Sequence, residues 1–250
     1  MQHMNFSGGG EGGHLNRFSQ AYHSPPDIDK YDGKEERKAD IQLYKGDCIK
    51  GMQLLKEGSV DAVITDPPYG IGYESKTGVK VKNDKRPYIW FLHEAYRVLK
   101  DGGSACVFCR WDVEQDFRRA MELAGFIVKS QIIWDKMYHG MGDTKAQWSP
   151  SHELILFGIK GKFAFPGGRP PDVLHVPKVP SAHMVHPTKK PVALIEQLIS
   201  ATTKKGDTIL DPFAGSGSAA IAAINTERGY IGYEIDNEYY NIAKKRIEKA

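Results

Sequence analysis

The chain lacks an apolar run long enough to cross a membrane, and its N-terminus has no secretory hydrophobic core. A bilayer-embedded or exported protein is therefore not expected. Cysteine is scarce, with only Cys48, Cys106 and Cys109. An odd, sparse set makes no disulfide scaffold and points to a reducing compartment. Cys106 and Cys109 form a C-x-x-C inside the strand-like run GSACVFCRW, but no second pair completes a zinc site. They are expected to be buried thiols, and no metal is expected. No G-K-[ST] follows the glycine-rich turn, no full G-x-G-x-x-G is present, and no nuclease or ATPase motif occurs. A phosphate-clamped dinucleotide or ATP is thereby disfavoured. Nor is one sign of charge in excess: 34 Lys and Arg stand against 31 Asp and Glu, a net +3 that permits nucleic acid without arguing for it.

What is present suffices for one domain with a full core: 250 residues, 40% hydrophobic and 26% charged. Residues 1–37 are rich in Gly, Ser, Pro and charge, with GGGEGG at 8–13, and are expected to be flexible. From residue 38 strands and helices alternate. Strands are expected at 41–47, 60–66, SACVFC, 126–134, 151–159, 207–211 and 229–236. Helices are expected at CIKGMQLL, at 88–99 with Tyr88, Leu92, Tyr96 and Leu99 on one face, and along Val113, Phe117, Ala120, Met121 and Ala124. Others begin near 188 with Thr188 as cap, follow the glycine turn as SAAIAAINTE, and close the chain with Asn237 as cap. Between 160 and 186 no period emerges. This alternation predicts an α/β fold with a mainly parallel sheet covered on both faces. Asp47, Asp66, Asp211 and Glu234 each end or closely follow an apolar strand. They would gather at the carboxyl edge, where such sheets bind ligands.

In DPFAGSG (211–217), Gly215 and Gly217 allow a sharp turn and close backbone approach before a helix. Glu234 ends the next strand, placed to accept from both hydroxyls of a ribose. A glycine turn, an acid on the next strand and no phosphate clamp fit a nucleoside-linked cofactor such as S-adenosylmethionine. In DPPYG (66–70), two prolines fix the backbone and remove two donors. The Pro67 carbonyl is thereby presented beside the Asp66 carboxylate and the Tyr69 ring. A planar base stacked on Tyr69 could donate its exocyclic amine to both acceptors, with the nitrogen lone pair turned toward an electrophilic methyl.

These motifs, with GYEID, HPTKKP (186–191), YKGD (44–47), IIWDK (132–136) and SHELILFG (151–158), resemble the beta class of DNA amino-methyltransferases across roughly residues 40–250. In that class DPPY precedes the glycine motif, with the recognition sequence between them. The resemblance implies a Rossmann-like methyltransferase fold: a mainly parallel seven-stranded sheet with an antiparallel edge strand, circularly permuted motif order and a small inserted recognition region. By it, Asp66, Pro67, Pro68 and Tyr69 hold the target base. Asp211, Phe213, Gly215 and Gly217 surround the methionine part of S-adenosylmethionine, Glu234 takes its ribose, Asp47 its adenine, and Thr188 and Lys190 its carboxylate end. Adenine-N6 members of the family usually carry DPPY and cytosine-N4 members usually a serine for the aspartate, so Asp66 favours adenine in duplex DNA.

A reacting base must leave the duplex to reach such a turn. Segment 71–87 holds Lys76, Lys80, Lys82, Lys85 and Arg86 against two acids, and is expected to be a mobile loop on DNA phosphates. Base reading is expected from 137–185, with His139, Lys145, Gln147, Lys162 and Arg169 as contacts; Trp134 and Trp148 are core or wedge residues. Expected partners are double-stranded DNA, a second copy of the chain and a separate restriction endonuclease, in the cytoplasm of a bacterial or phage-infected cell, at the nucleoid. Three alternatives stay open at this point: cytosine-N4 transfer, methylation of an RNA or protein amide, and a DNA-binding module without catalysis.

Overall fold

Successive residues of Val60–Thr65 (β3) face different cores: Val60 and Val63 pack on one side of a sheet, Ala62 and Ile64 on the other. Leu99–Cys109 (β4) repeats this, with Ala105, Val107 and Cys109 opposite Cys106 and Phe108. Strands covered on both faces read as near-continuous apolar runs, as 62–64 and 105–109 do. The computed structural model describes residues 36–38, 41–70, 85–140, 144–179 and 190–250. All belong to the unit Tyr31–Ala250.

The other strands are Glu36–Lys38 (β1), Ile41–Lys45 (β2), Ile127–Asp135 (β5), His152–Ile159 (β6), Val173–His175 (β7), Thr208–Asp211 (β8) and Gly229–Glu234 (β9). They form one sheet of order β1-β2-β9-β8-β3-β4-β6-β5-β7. Helices Cys48–Gln53 (α1), Phe91–Val98 (α2) and Glu114–Ala124 (α3) cover one face; Val192–Thr202 (α4), Ser218–Asn225 (α5) and Asn237–Ile247 (α6) cover the other.

β2, β9, β8, β3 and β4 run parallel. An antiparallel edge strand is present as β1, and β6 lies antiparallel between β4 and β5. Among the described residues the sheet has nine strands where seven were expected, because two three-residue strands add to the edges. β1 overlaps the end of the segment 1–37 expected to be flexible. β7 falls within the segment expected to be irregular, and it is held by pairing with Ile133–Asp135 rather than by its own pattern.

β3 and β8 are neighbours although far apart in the chain. From β3 the chain crosses over α2 to β4 on one side; from β8 it crosses over α5 to β9 on the other. The strand order reverses between them, and a crevice opens outside their carboxyl ends. DPPYG follows β3 and DPFAGSG begins at the end of β8, so the threading brings both motifs to that crevice.

Several local expectations shift. α2 begins at Phe91, buries Phe91, Leu92, Ala95 and Val98, and leaves Tyr88 before it, while Leu99 already belongs to β4. α4 begins at Val192 after Pro191, whose fixed φ suits the position before a first turn; Thr188 lies outside the described residues. α6 is capped by Asp236, which accepts from the Glu238 and Tyr239 amides, and not by Asn237. Cys48, Cys106 and Cys109 are buried free thiols.

Candidate functional site

The four strand-end carboxylates do share one edge, since the strands that carry them are adjacent and parallel. Asp47 caps α1, its Oδ1 accepting from Ile49 and Lys50 amides at 3.0 Å each. Next to it the Gly46 amide donates to the Glu234 carbonyl. Gly51 lies against Tyr233, where a Cβ would stand 2.0 Å from the ring, so only glycine lets α1 sit this close to β9.

The turn after Asp211 passes through Gly215 at φ +52° and Gly217 at φ +79°, both in the left-handed region that glycine favours. A Cβ on Gly217 would meet the Ala243 Cβ at 3.0 Å, while one on Gly215 would find its nearest neighbour only at 4.0 Å. Gly217 therefore faces packed helix, while no described residue crowds Gly215. Arg246 of α6 donates to the Ser216 carbonyl and holds the turn from behind.

Glu234 spans this turn. Its Oε2 accepts from the Gly215 amide at 2.8 Å and its Oε1 from the Asp236 amide at 2.7 Å. Burial pushes its carboxyl up to about 7, against those two amides. Asp211 is also buried and pushed up to about 7, although Thr65 Oγ1 donates to it at 2.8 Å and the Phe213 amide at 3.1 Å. Ile235, directly after Glu234, is 44% exposed at this edge. Phe213 is wedged edge-on between Tyr88 and Phe91, with ring centroids 5.6 and 4.9 Å away.

S-adenosylmethionine carries positive charge, ribose hydroxyls and a flat adenine. The buried carboxylates of Asp211 and Glu234, the turn at Gly215 and the exposed Ile235 fit these three parts.

Across the crevice, the Tyr69 hydroxyl donates to Asp66 Oδ1. The Tyr88 amide donates to the Pro68 carbonyl at 3.0 Å, whereas no hydrogen bond to the Pro67 carbonyl occurs among the described residues. Lys190 Nζ donates to Asp66 Oδ2 at 2.6 Å and lies 3.1 Å from Glu153 Oε2. Lys136 pairs with the other Glu153 oxygen at 2.8 Å. Burial raises the Asp66 carboxyl, with Lys190 opposing it. Burial would raise Glu153 as well, but Lys190 and Lys136 bring it below the usual range. Lys190 was expected at the cofactor's carboxylate end; it is found engaged with Asp66. Glu153 was not singled out, although an acid inside the apolar run of β6 was a visible signal.

Lys85 and Arg86 are exposed beside the DPPY turn, where Tyr69 pairs with Pro87. Lys76, Lys80 and Lys82 lie outside the described residues. The loop after β5 is closed by the Gly140 amide on the Pro150 carbonyl and exposes His139, Lys145, Gln147 and Trp148, the last at 95%. β5 runs parallel to β4, so this loop leaves from the same edge as Asp66. Trp134 belongs to the core, its Nε1 donating to the Val176 carbonyl at 2.7 Å. Arg169 is exposed in the stretch leading to β7. Lys162 lies apart from these residues. It follows the antiparallel β6 and sits at the amino end of β4, beside Gly102, at the edge opposite Asp66.

Comparison with known proteins agrees with this geometry. The family model described as DNA methylase matches residues 60–178 and 169–245. The chain is 33% identical to the type II methyltransferase M.HpaI of Haemophilus parainfluenzae, covering 84% of this chain and 74% of that one. It is 27% identical to the DNA adenine methyltransferase YhdJ of Escherichia coli, covering 83% of each. The crystal structure of the M1.HpyAVI complex with S-adenosylmethionine superposes with a TM-score of 0.65 at 30% identity, covering 82% of this chain and 99% of that one. With DPPY ahead of the glycine motif and both at one crevice, the chain belongs to the beta class of S-adenosylmethionine-dependent DNA amino-methyltransferases.

Proposed function

We propose that the chain is a site-specific adenine-N6 methyltransferase acting on an adenine flipped out of duplex DNA. The observation that carries this reading is Asp66 beside the Pro67 carbonyl, which no described residue engages: two acceptors at one turn, with the Tyr69 ring alongside. An exocyclic amine donating to both has its lone pair held in one direction, which makes a weak nucleophile reactive by placement. Bound S-adenosylmethionine supplies the electrophilic methyl group. Asp211, Gly215 and Glu234 hold its charged and ribose parts, and Asp47 and Ile235 border its adenine. Asp66, raised by burial, receives the proton that the amine gives up.

Aspartate in the first position of the motif supports adenine over cytosine, and so does the name of the YhdJ relative. Lys85 and Arg86 contact phosphates near the turn, and the loop carrying His139, Lys145, Gln147 and Trp148 faces the bases. Among the described residues no helix is long and apolar enough to cross a membrane. A small recognition region supports a homodimer on DNA, and the type II names of relatives support a separate endonuclease partner. The test is labelled transfer from S-adenosylmethionine to mixed-sequence duplex DNA, followed by nucleoside analysis. N6-methyldeoxyadenosine is expected, and N4-methyldeoxycytidine would overturn the choice of base.

A further inference from the structure

Lys190 is 9% exposed and stands between two carboxylates, 2.6 Å from Asp66 Oδ2 and 3.1 Å from Glu153 Oε2. Its ammonium lies 5.2 Å from the Phe108 ring centre and 5.8 Å from that of Tyr69. Glu153 is tied in turn to Lys136 at 2.8 Å, so charges alternate along Asp66, Lys190, Glu153 and Lys136 and cancel. Neutralising Asp66 alone would need only one cation. A lysine anchored from behind by its own carboxylate keeps its place when its contact with Asp66 loosens.

The result is an acceptor and a donor side by side at the wall of the base site. Adenine presents the complementary pair on its Watson–Crick edge: the amine donates, and the ring nitrogen N1 beside it accepts. Cytosine presents the same pair with its N4 amine and N3. Guanine and thymine present the reverse, a keto oxygen next to an N–H, which would set oxygen against the Asp66 carboxylate and N–H against an ammonium. Enzymes that flip bases read them by hydrogen bonds to this edge.

We infer that Lys190 is a base-reading residue, its Nζ donating to the unprotonated ring nitrogen beside the methylated amine while Asp66 accepts from the amine. Glu153 and Lys136 are positioning residues that hold the ammonium at that wall. This rests on the methylation reading above and extends it to the chemistry by which the pocket admits aminated bases and rejects keto ones. Before DNA binds, the Lys190–Asp66 contact satisfies both groups; the entering base replaces it with one hydrogen bond to each.

The test uses duplex oligonucleotides carrying the recognition site mapped from the methylated product. The target position holds adenine or 1-deazaadenine, which keeps the amine but lacks N1. Wild type should methylate the deaza substrate roughly 10- to 100-fold more slowly, the factor that a hydrogen bond to a charged group carries. Lys190→Met should be slow on both and discriminate little between them. Equal wild-type rates on the two substrates would overturn the inference, as would a Lys190→Met enzyme that keeps wild-type discrimination, which would mark a structural role. Cofactor binding by calorimetry reports whether the variant is folded; if it is not, the wild-type comparison decides alone. Should the product be N4-methylcytosine, 3-deazacytosine replaces 1-deazaadenine and the same outcomes apply. A wild-type enzyme that binds S-adenosylmethionine but modifies no DNA would refute the methylation reading itself, and this inference with it.

Discussion

Thr65 donates a hydrogen bond to Asp211 at 2.8 Å, joining the residue before the DPPY turn to the first residue of the glycine motif. Both are buried, and both lie at the ends of neighbouring strands. The base-holding and cofactor-holding halves of the site are thus joined at their roots by a buried side-chain contact.

Removing that contact should cost both stability and alignment. Thr65→Val leaves Asp211 Oδ1 with only the Phe213 amide, and losing one hydrogen bond of two costs about 0.5–1.5 kcal/mol. The melting temperature should fall by several degrees, and affinity for S-adenosylmethionine should weaken. Thermal unfolding together with calorimetric titration checks both.

Asp211 also makes stability depend on pH in a stated direction. Its folded carboxyl is raised to about 7, whereas an unfolded aspartate titrates near ~3.9. Between roughly pH 4 and 7 the folded chain keeps a proton that the unfolded chain has released. This contribution is therefore stabilising at the acid end of the window, is lost as pH rises through it, and is level above it. Glu234, raised to about 7, adds in the same sense. Asp211→Asn removes one of the two groups, so its melting temperature should drop less than that of wild type between pH 5 and pH 8. Parallel curves would show that Asp211 titrates normally.

The DPPY turn should separate chemistry from cofactor binding. Asp66→Asn keeps the shape but removes the negative acceptor and the partner of Lys190. A loss of roughly 10²-fold or more in kcat is expected, with S-adenosylmethionine binding nearly intact. Tyr69→Phe keeps the ring and loses only the hydroxyl on Asp66, so its defect should be smaller. Single-turnover rates with saturating cofactor distinguish the two.

DNA affinity should depend on which edge a cation occupies. Arg86→Ala should lower the slope of log affinity against log salt by about one, as expected when one phosphate contact is lost. Lys162→Ala, at the opposite edge, should leave it unchanged. Fluorescence anisotropy over a salt series measures both.

The legibility of this site in sequence follows its physics. Asp47, Asp66, Asp211 and Glu234 could be read because apolar strands announce where they end, and parallel strands end together. That Lys162 lies at the opposite edge was not legible, because an apolar pattern is the same in either direction and nothing in SHELILFG reveals that β6 runs antiparallel. The Lys190–Glu153 pair was invisible for a related reason: it forms only because β6 is inserted beside β4, far in sequence from Lys190. Asp236 and Asn237 are both good capping residues, and only the observed hydrogen bonds choose between them.

The most direct measurement of the central claim is single-molecule sequencing of DNA from cells devoid of other methylases, expressing either the wild-type chain or Asp66→Asn. N6-methyladenine confined to one short motif in the first, and absent from the second, is the predicted result. Adenine methylation that persists in the Asp66→Asn strain, or wild-type DNA carrying none in any motif, would contradict it.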